Sequence, residues 1–180
     1  MENAATAVAA LEILIEKGFS ISPLTISKGM SRVKWPGRFQ ILGKNPLIIV
    51  DGAHNVLSAG ELKKSLLYYY KDYFHRGGQQ SGITKILVFG ASADKDIKGM
   101  IGELAPMFDR VIATRSKHPR SMEVPLLKAE FNNCGIEVDS AGDVGKAIEL
   151  ARRQALNESL ICITGSLFVA GDAIAYLSAD

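Results

Sequence analysis

The sequence predicts an α/β fold: a Rossmann-like, mostly parallel sheet with helices on both faces, preceded by a short helical segment. Three observations lead there. From about residue 35 onward, short apolar runs alternate with amphipathic stretches of helical length. Runs such as Leu47 to Val50 are continuously apolar, which marks strands covered on both faces. Polar segments rich in small residues follow the strand ends, where open α/β sheets hold their ligands.

The first element is a helix over residues 3–17. Ala4, Ala7, Val8, Leu11, Leu14 and Ile15 share one face, and Gly18 stops it. A second helix starts at Ser22-Pro23, an N-cap with proline in the first turn, and ends near Gly29. Two short helices cannot bury their apolar faces on each other alone, so they read as the edge of something larger.

The rhythm changes after Trp35-Pro36-Gly37. Residues 39–42 and 47–50 read as strands, and a long helix follows over 56–74. His75 to Gly82 is a loop. Strands are then expected at 83–89, 111–113, 136–138 and 160–164. They alternate with helices at 96–106, 121–132, 143–155 and 166–177. Residues 1–34 and 35–180 are therefore expected to belong to different domains.

The totals narrow the function. Apolar residues are 47% and charged residues 22% of 180, as in ordinary globular proteins. A net charge of +2 argues against a nucleic-acid footprint. No apolar run approaches the ~18 residues of a membrane span. Glu2, Glu12 and Glu16 break any signal-peptide pattern, so a cytoplasmic location is expected. Cys134 and Cys162 match no metal spacing and read as free thiols.

No G-x-G-x-x-G motif follows any strand. Gly37 to Asn45 resembles a phosphate loop but fails. Its glycines are separated by five residues, and Asn45 stands where Ser or Thr would meet magnesium.

The candidate chemistry lies at the strand ends. Arg38, after Gly37, offers a planar fork of donors suited to phosphate, or to a surface carboxylate. Trp35 is expected to pack at the domain joint. Asp51 ends a strand, where its carboxylate can meet ribose hydroxyls, orient a histidine or form a turn. His54 stands between that strand and the next helix, and Asn55 is expected to cap the helix. Asp94-Lys95-Asp96 opens a helix, where Lys95 is badly placed unless an anion is near. Ser166 opens the last helix, either as a simple cap or beside a bound carboxylate. His118-Pro119-Arg120 is a cationic turn near the same rim.

Trp35-Pro36-Gly37-Arg38-Phe39-Gln40, Asp51-Gly52-Ala53-His54-Asn55, Asp94-Lys95-Asp96-Ile97 and Thr164-Gly165-Ser166-Leu167-Phe168 together resemble folylpolyglutamate synthase and the related dihydrofolate synthase. These are ligases of the Mur ligase superfamily. Order and spacing match over essentially the whole chain, although Val56 replaces a frequent proline.

The resemblance implies a two-domain ATP-dependent amide-bond ligase that joins L-glutamate to folate through an acyl phosphate. Residues 35–180 would be its C-terminal Rossmann-like domain, and residues 1–34 the last helices of the larger ATP-binding domain. Asn3 would contact adenine, Arg38 the ATP phosphates and Asp51 the ribose. His54, Lys95 and Ser166 would serve the incoming glutamate and the reaction centre. Mg2+ would be held mainly by the larger domain, which carries the phosphate loop, so these 180 residues alone are expected to be inactive. A bifunctional dihydrofolate synthase and a non-catalytic ligand-binding module remain as alternatives.

Overall fold

The structure, a computed structural model, describes residues 2–74, 84–156 and 158–179. The loop expected at His75 to Gly82 lies outside the described residues. The chain divides into two compact units, Met1–Trp35 and Pro36–Asp180.

The first unit is helix α1 (Glu2–Glu16) and helix α2 (Pro23–Ser31). Gly18, at φ 92°, ends α1 in a left-handed conformation that an L side chain resists. The Ser22 hydroxyl caps α2 by accepting from the Thr25 amide at 3.1 Å. None of residues 3–35 is buried. Ile13, Leu14, Phe19, Leu24 and Val33 all stand exposed. Helices this short are marginal in water without tertiary packing.

The second unit is a six-stranded sheet in the order β1-β2-β6-β3-β4-β5. Its strands are β1 (Gln40–Lys44), β2 (Leu47–Val50), β3 (Lys85–Phe89), β4 (Arg110–Ala113), β5 (Asp139–Ser140) and β6 (Leu160–Thr164). Among the described strands only β1 runs antiparallel, pairing with β2 as a hairpin; the other strand pairings are parallel. The helices are α3 (Val56–Phe74), α4 (Ile97–Leu104), α5 (Val124–Asn133), α6 (Val144–Gln154) and α7 (Leu167–Leu177).

The period-two alternation of each strand splits the core in two. On one face Ile49, Leu87, Phe89 and Cys162 pack with α3, α4 and α5, through Leu62, Met100, Leu127 and Phe131. On the other, Ile48, Ile86, Val88, Ile161 and Ile163 pack with α6 and α7, through Ile148, Val169 and Ala173. Each fully buried Ile, Leu, Val, Phe or Met among them contributes about 1.5–3 kcal/mol relative to exposure.

Two elements differ from the sequence expectation by three residues at their start. The fifth strand is Asp139–Ser140, not 136–138. Gly135 (φ 75°) ends α5 and the Ile136 amide still bonds back to the Phe131 carbonyl, so this stretch closes the helix. Pairing starts only where Asp139 and Ser140 meet Ile112 and Ala113. Helix α5 starts at Val124 rather than 121. Ser121 bridges Ser92, and the Met122 amide donates to the Ala91 carbonyl.

Candidate functional site

The carboxyl ends of β2, β6, β3 and β4 form one edge of the sheet. From β2 and β3 the chain passes to helices on one face, and from β6 to α7 on the other, so β6 and its neighbours mark the topological switch point. The strand ends here are crowded. A Cβ on Gly90 would lie 2.5 Å from the Thr114 carbonyl oxygen, and one on Gly165 would lie 2.7 Å from the Gly90 oxygen. The Thr114 and Thr164 hydroxyl oxygens at this edge are buried without a hydrogen-bond partner.

At the end of β2, Asp51 is half-buried and both its oxygens are engaged. Oδ2 accepts from the Phe39 amide and Oδ1 from the Ala53 amide, each at 2.8 Å. The Gly52 amide donates to the Gly37 carbonyl at 2.6 Å, and Gln40 Oε1 accepts from the Gly37 amide at 2.9 Å. These bonds tie the Gly37–Phe39 turn, which carries the exposed Arg38, to the end of β2.

His54 is half-buried, and its Nδ1 lies 2.9 Å from the Gly52 carbonyl. A carbonyl only accepts, so Nδ1 carries a proton here, which leaves Nε2 as the nitrogen that can exchange one. Asn55 caps α3 as expected: its Oδ1 accepts from the Ser58 amide at 2.8 Å, and Ser58 Oγ accepts from the Asn55 amide at 3.1 Å.

At the end of β3, Asp96 is the N-cap of α4 and accepts from the Gly99 amide at 2.8 Å. Lys95 therefore precedes the helix. The anion near it is Asp94, whose carboxylate is 2.9 Å from Nζ. The Lys95 hydrogen bond holds the Asp94 carboxyl below its usual range.

At the end of β6, Ser166 is buried and its Oγ caps α7 by accepting from the Val169 amide at 3.1 Å. The segment after β4 closes over the same helix start. The His118 ring stacks on Phe168 with centroids 3.6 Å apart and planes 8° from parallel. The Arg120 guanidinium carbon lies 5.4 Å from the same ring. The Lys117 amide donates to Asp172 at 3.1 Å, and Arg115 pairs with Glu123.

Arg38, Asp51, His54, Lys95 and Ser166 thus lie on loops at one edge of the second unit, with His118 and Arg120 beside them. Asn3 lies on α1 of the first unit, exposed. Sequence reading missed Phe168 as an anchor for the cationic turn, and Tyr69, which stacks on Phe39 at 4.8 Å. The available signal was an aromatic residue in the first turn of α7, a position that polar residues usually take. Among the described residues no group of three or more His, Cys, Asp or Glu is placed to hold a metal ion. Among the described residues no helix is long and apolar enough to cross a membrane.

The family model for the Mur ligase glutamate ligase domain matches residues 37–167. The chain belongs to the Mur ligase family. This Mur ligase domain is 30% identical over 176 residues to a Halobacterium salinarum protein named "Probable bifunctional folylpolyglutamate synthase/dihydropteroate synthase", covering 96% of the chain and 19% of that protein. It superposes on Escherichia coli FolC in complex with DHPP and ADP with a TM-score of 0.80 and 27% identity, covering 98% of the chain and 39% of FolC. It also superposes on a bifunctional folylpolyglutamate synthase/dihydrofolate synthase with Mn, AMPPNP and L-glutamate bound. There the TM-score is 0.74 and the identity 26%, over 95% of the chain and 39% of that enzyme. The chain therefore spans well under half the length of these proteins.

Proposed function

We propose that this Mur ligase domain is the C-terminal part of an ATP-dependent folylpolyglutamate synthase. One observation carries the reading. Arg38, His54 and the cationic turn at His118–Arg120 stand on loops at the switch-point edge of a domain that superposes on ligases holding ADP, AMPPNP and L-glutamate.

In this reading ATP phosphorylates a folate carboxylate and ADP departs. The glutamate amine attacks the acyl phosphate, loses a proton and expels phosphate. Arg38 meets the phosphates as a charge-assisted donor. The His54 Nε2 lone pair receives the proton from the amine. Lys95, buffered by Asp94, adds positive charge, and the start of α7 at Ser166 orients a glutamate carboxylate. Asn3 on α1 serves the adenine. The preceding part of the polypeptide supplies the phosphate loop and holds the divalent ion that accompanies ATP. Residues 1–34 are the last helices of that ATP-binding domain, which would cover their exposed apolar side chains.

The test is incorporation of labelled L-glutamate by the full-length protein, given ATP and tetrahydrofolate. Glutamate addition with stoichiometric ADP release is expected, and no turnover by the 180 residues alone. No incorporation by the full-length protein, or folate-dependent turnover by the 180 residues, would overturn the proposal. The second structural neighbour is named as bifunctional, which favours a second activity as dihydrofolate synthase. Replacing tetrahydrofolate with dihydropteroate in the same assay measures it. A non-catalytic binding module would instead bind a small ligand tightly as the isolated chain.

A further inference from the structure

The segment between β4 and α5 is fastened to the start of α7, and most of the fastening meets at one ring. Phe168, half-buried in the first turn of α7, takes the His118 ring face to face. The centroids are 3.6 Å apart and the planes 8° from parallel. The Arg120 guanidinium carbon lies 5.4 Å from the centroid of the same ring. Phe168 thus carries both polar side chains of the turn.

The backbone of that turn is held by other groups. The Lys117 amide donates to Asp172 of α7 at 3.1 Å. The Ala93 amide donates to the Arg120 carbonyl at 3.0 Å, and the Met122 amide to the Ala91 carbonyl at 2.9 Å. Ser116 Oγ and Ser121 Oγ, both buried, lie 2.6 Å apart. None of these bonds reaches the arginine side chain. Among the described residues no hydrogen bond or ion pair engages the guanidinium, so the Phe168 ring is what holds it.

The histidine adds to this. The Arg120 amide donates to His118 Nδ1 at 3.1 Å. An amide N–H only donates, so Nδ1 carries no proton and Nε2 carries one. The two side chains on the ring therefore offer donors only, Nε2–H and the guanidinium. A cation resting against an aromatic ring keeps its N–H groups for an anion.

We propose that Phe168 is a positioning residue that acts through Arg120. Its ring orders the guanidinium, with the His118 imidazole beside it, before any ligand arrives. A long side chain ordered in advance loses less freedom on binding. The proposal rests on the ligase reading, which puts a glutamate carboxylate at the start of α7, for what Arg120 meets. The mounting itself is measurable without that reading.

The test is steady-state kinetics of the full-length enzyme carrying Phe168→Leu, Phe168→Tyr, Arg120→Ala, or Phe168→Leu with Arg120→Ala. Leucine keeps the apolar bulk and loses the ring face; tyrosine keeps the face. Ordering one long side chain changes binding by about three- to tenfold, so Phe168→Leu should raise KM for L-glutamate by that factor. Lost binding leaves turnover alone, so kcat should stay within about twofold and KM for ATP should not change. Phe168→Tyr should behave as the wild type. In the Arg120→Ala background, Phe168→Leu should cost less than about twofold more, because the group it orders is gone. Asp172→Ala releases the Lys117 amide, the other anchor on α7, and keeps the test open if Phe168→Leu folds poorly. It too should raise KM for L-glutamate and leave KM for ATP unchanged.

The mounting is read by NMR of the full-length protein with labelled histidine. The His118 signals, identified by their loss in His118→Gln, should lie upfield under the Phe168 ring current and move back in Phe168→Leu. Equal rises in KM for ATP and L-glutamate, multiplicative losses in the double mutant, or an unaltered KM for L-glutamate in Arg120→Ala would overturn the proposal. His118 signals without an upfield shift would overturn the mounting. A wild-type enzyme without ligase activity would sink the ligase reading alone, and the histidine signals would still decide whether Phe168 holds the turn.

Discussion

The crowding at the switch-point edge makes Gly90→Ala the most informative stability variant. The added Cβ would lie 2.5 Å from the Thr114 carbonyl oxygen and 3.0 Å from a Val169 methyl. The oxygen is backbone and cannot rotate away, so the ends of β3 and β4 must part. Reaching the 3.4 Å of ordinary contact requires an opening of about 0.9 Å. The Thr114 amide donates to the Phe89 carbonyl at 2.8 Å. An opening of that size carries the bond past the useful range of ~3.2 Å. Losing it costs about 1 kcal/mol, and overpacking a closed site costs about 1–3 kcal/mol. The lower entropy of the unfolded alanine chain returns about 0.4–1 kcal/mol. The net expectation is a loss of about 2–3 kcal/mol. At a urea m-value of about 2 kcal/mol/M, this lowers the denaturation midpoint by about 1–1.5 M. The control is Gly171→Ala, exposed in α7 with nothing within 4 Å of the new methyl. It should gain about 0.5–1 kcal/mol. If Gly90→Ala unfolds within about 0.5 kcal/mol of the wild type, with an unchanged m-value, the close approach of the two strand ends is refuted.

Two further outcomes follow from titrating groups. Asp143 caps α6, and the Lys146 amide bond holds its carboxyl below the ordinary 3.8. A depressed carboxyl contributes stability above 3.8 that is lost as pH falls through the lower folded value. Asp143→Ala should therefore cost about 1 kcal/mol at neutral pH, and the gap should close in strong acid; urea titrations at both pH values measure it. Burial pushes the Cys162 thiol far up, and the nearby Asp51 charge adds to this. A thiol reagent at pH 8 should modify Cys162 only on unfolding, with mass spectrometry as the readout; rapid labelling of the native chain would contradict the packing of β6.

Some of this architecture is written locally and some is not. Strands β2 and β6 and helix α3 were legible to the residue, because a continuous apolar run or a helical stripe between clear stops has one reading. Strand β5 was not. Ile136 and Val138 look like a strand, yet an edge strand pairs on one side only, and its register is set by where Ile112 and Ala113 lie. Ser22, Asn55 and Ser166 were legible as caps because capping needs only the residue and the next three. The Lys95–Asp94 pair was missed for the opposite reason. A charge at a helix start looks unpaired until the loop shape places its neighbour against it.

The amino-acid order by itself determined the alternation of strand and helix, the polar loops at the strand ends and the family signature they carry. These depend on periodicity and on residues a few positions apart. The tertiary structure alone decided that β6 inserts between β2 and β3, that Phe39 is held left-handed by a carboxylate twelve residues away, and that Phe168 takes His118 against its face. Those contacts join segments far apart in the chain, and their geometry exists only once the sheet has assembled and set the distance between its strand ends.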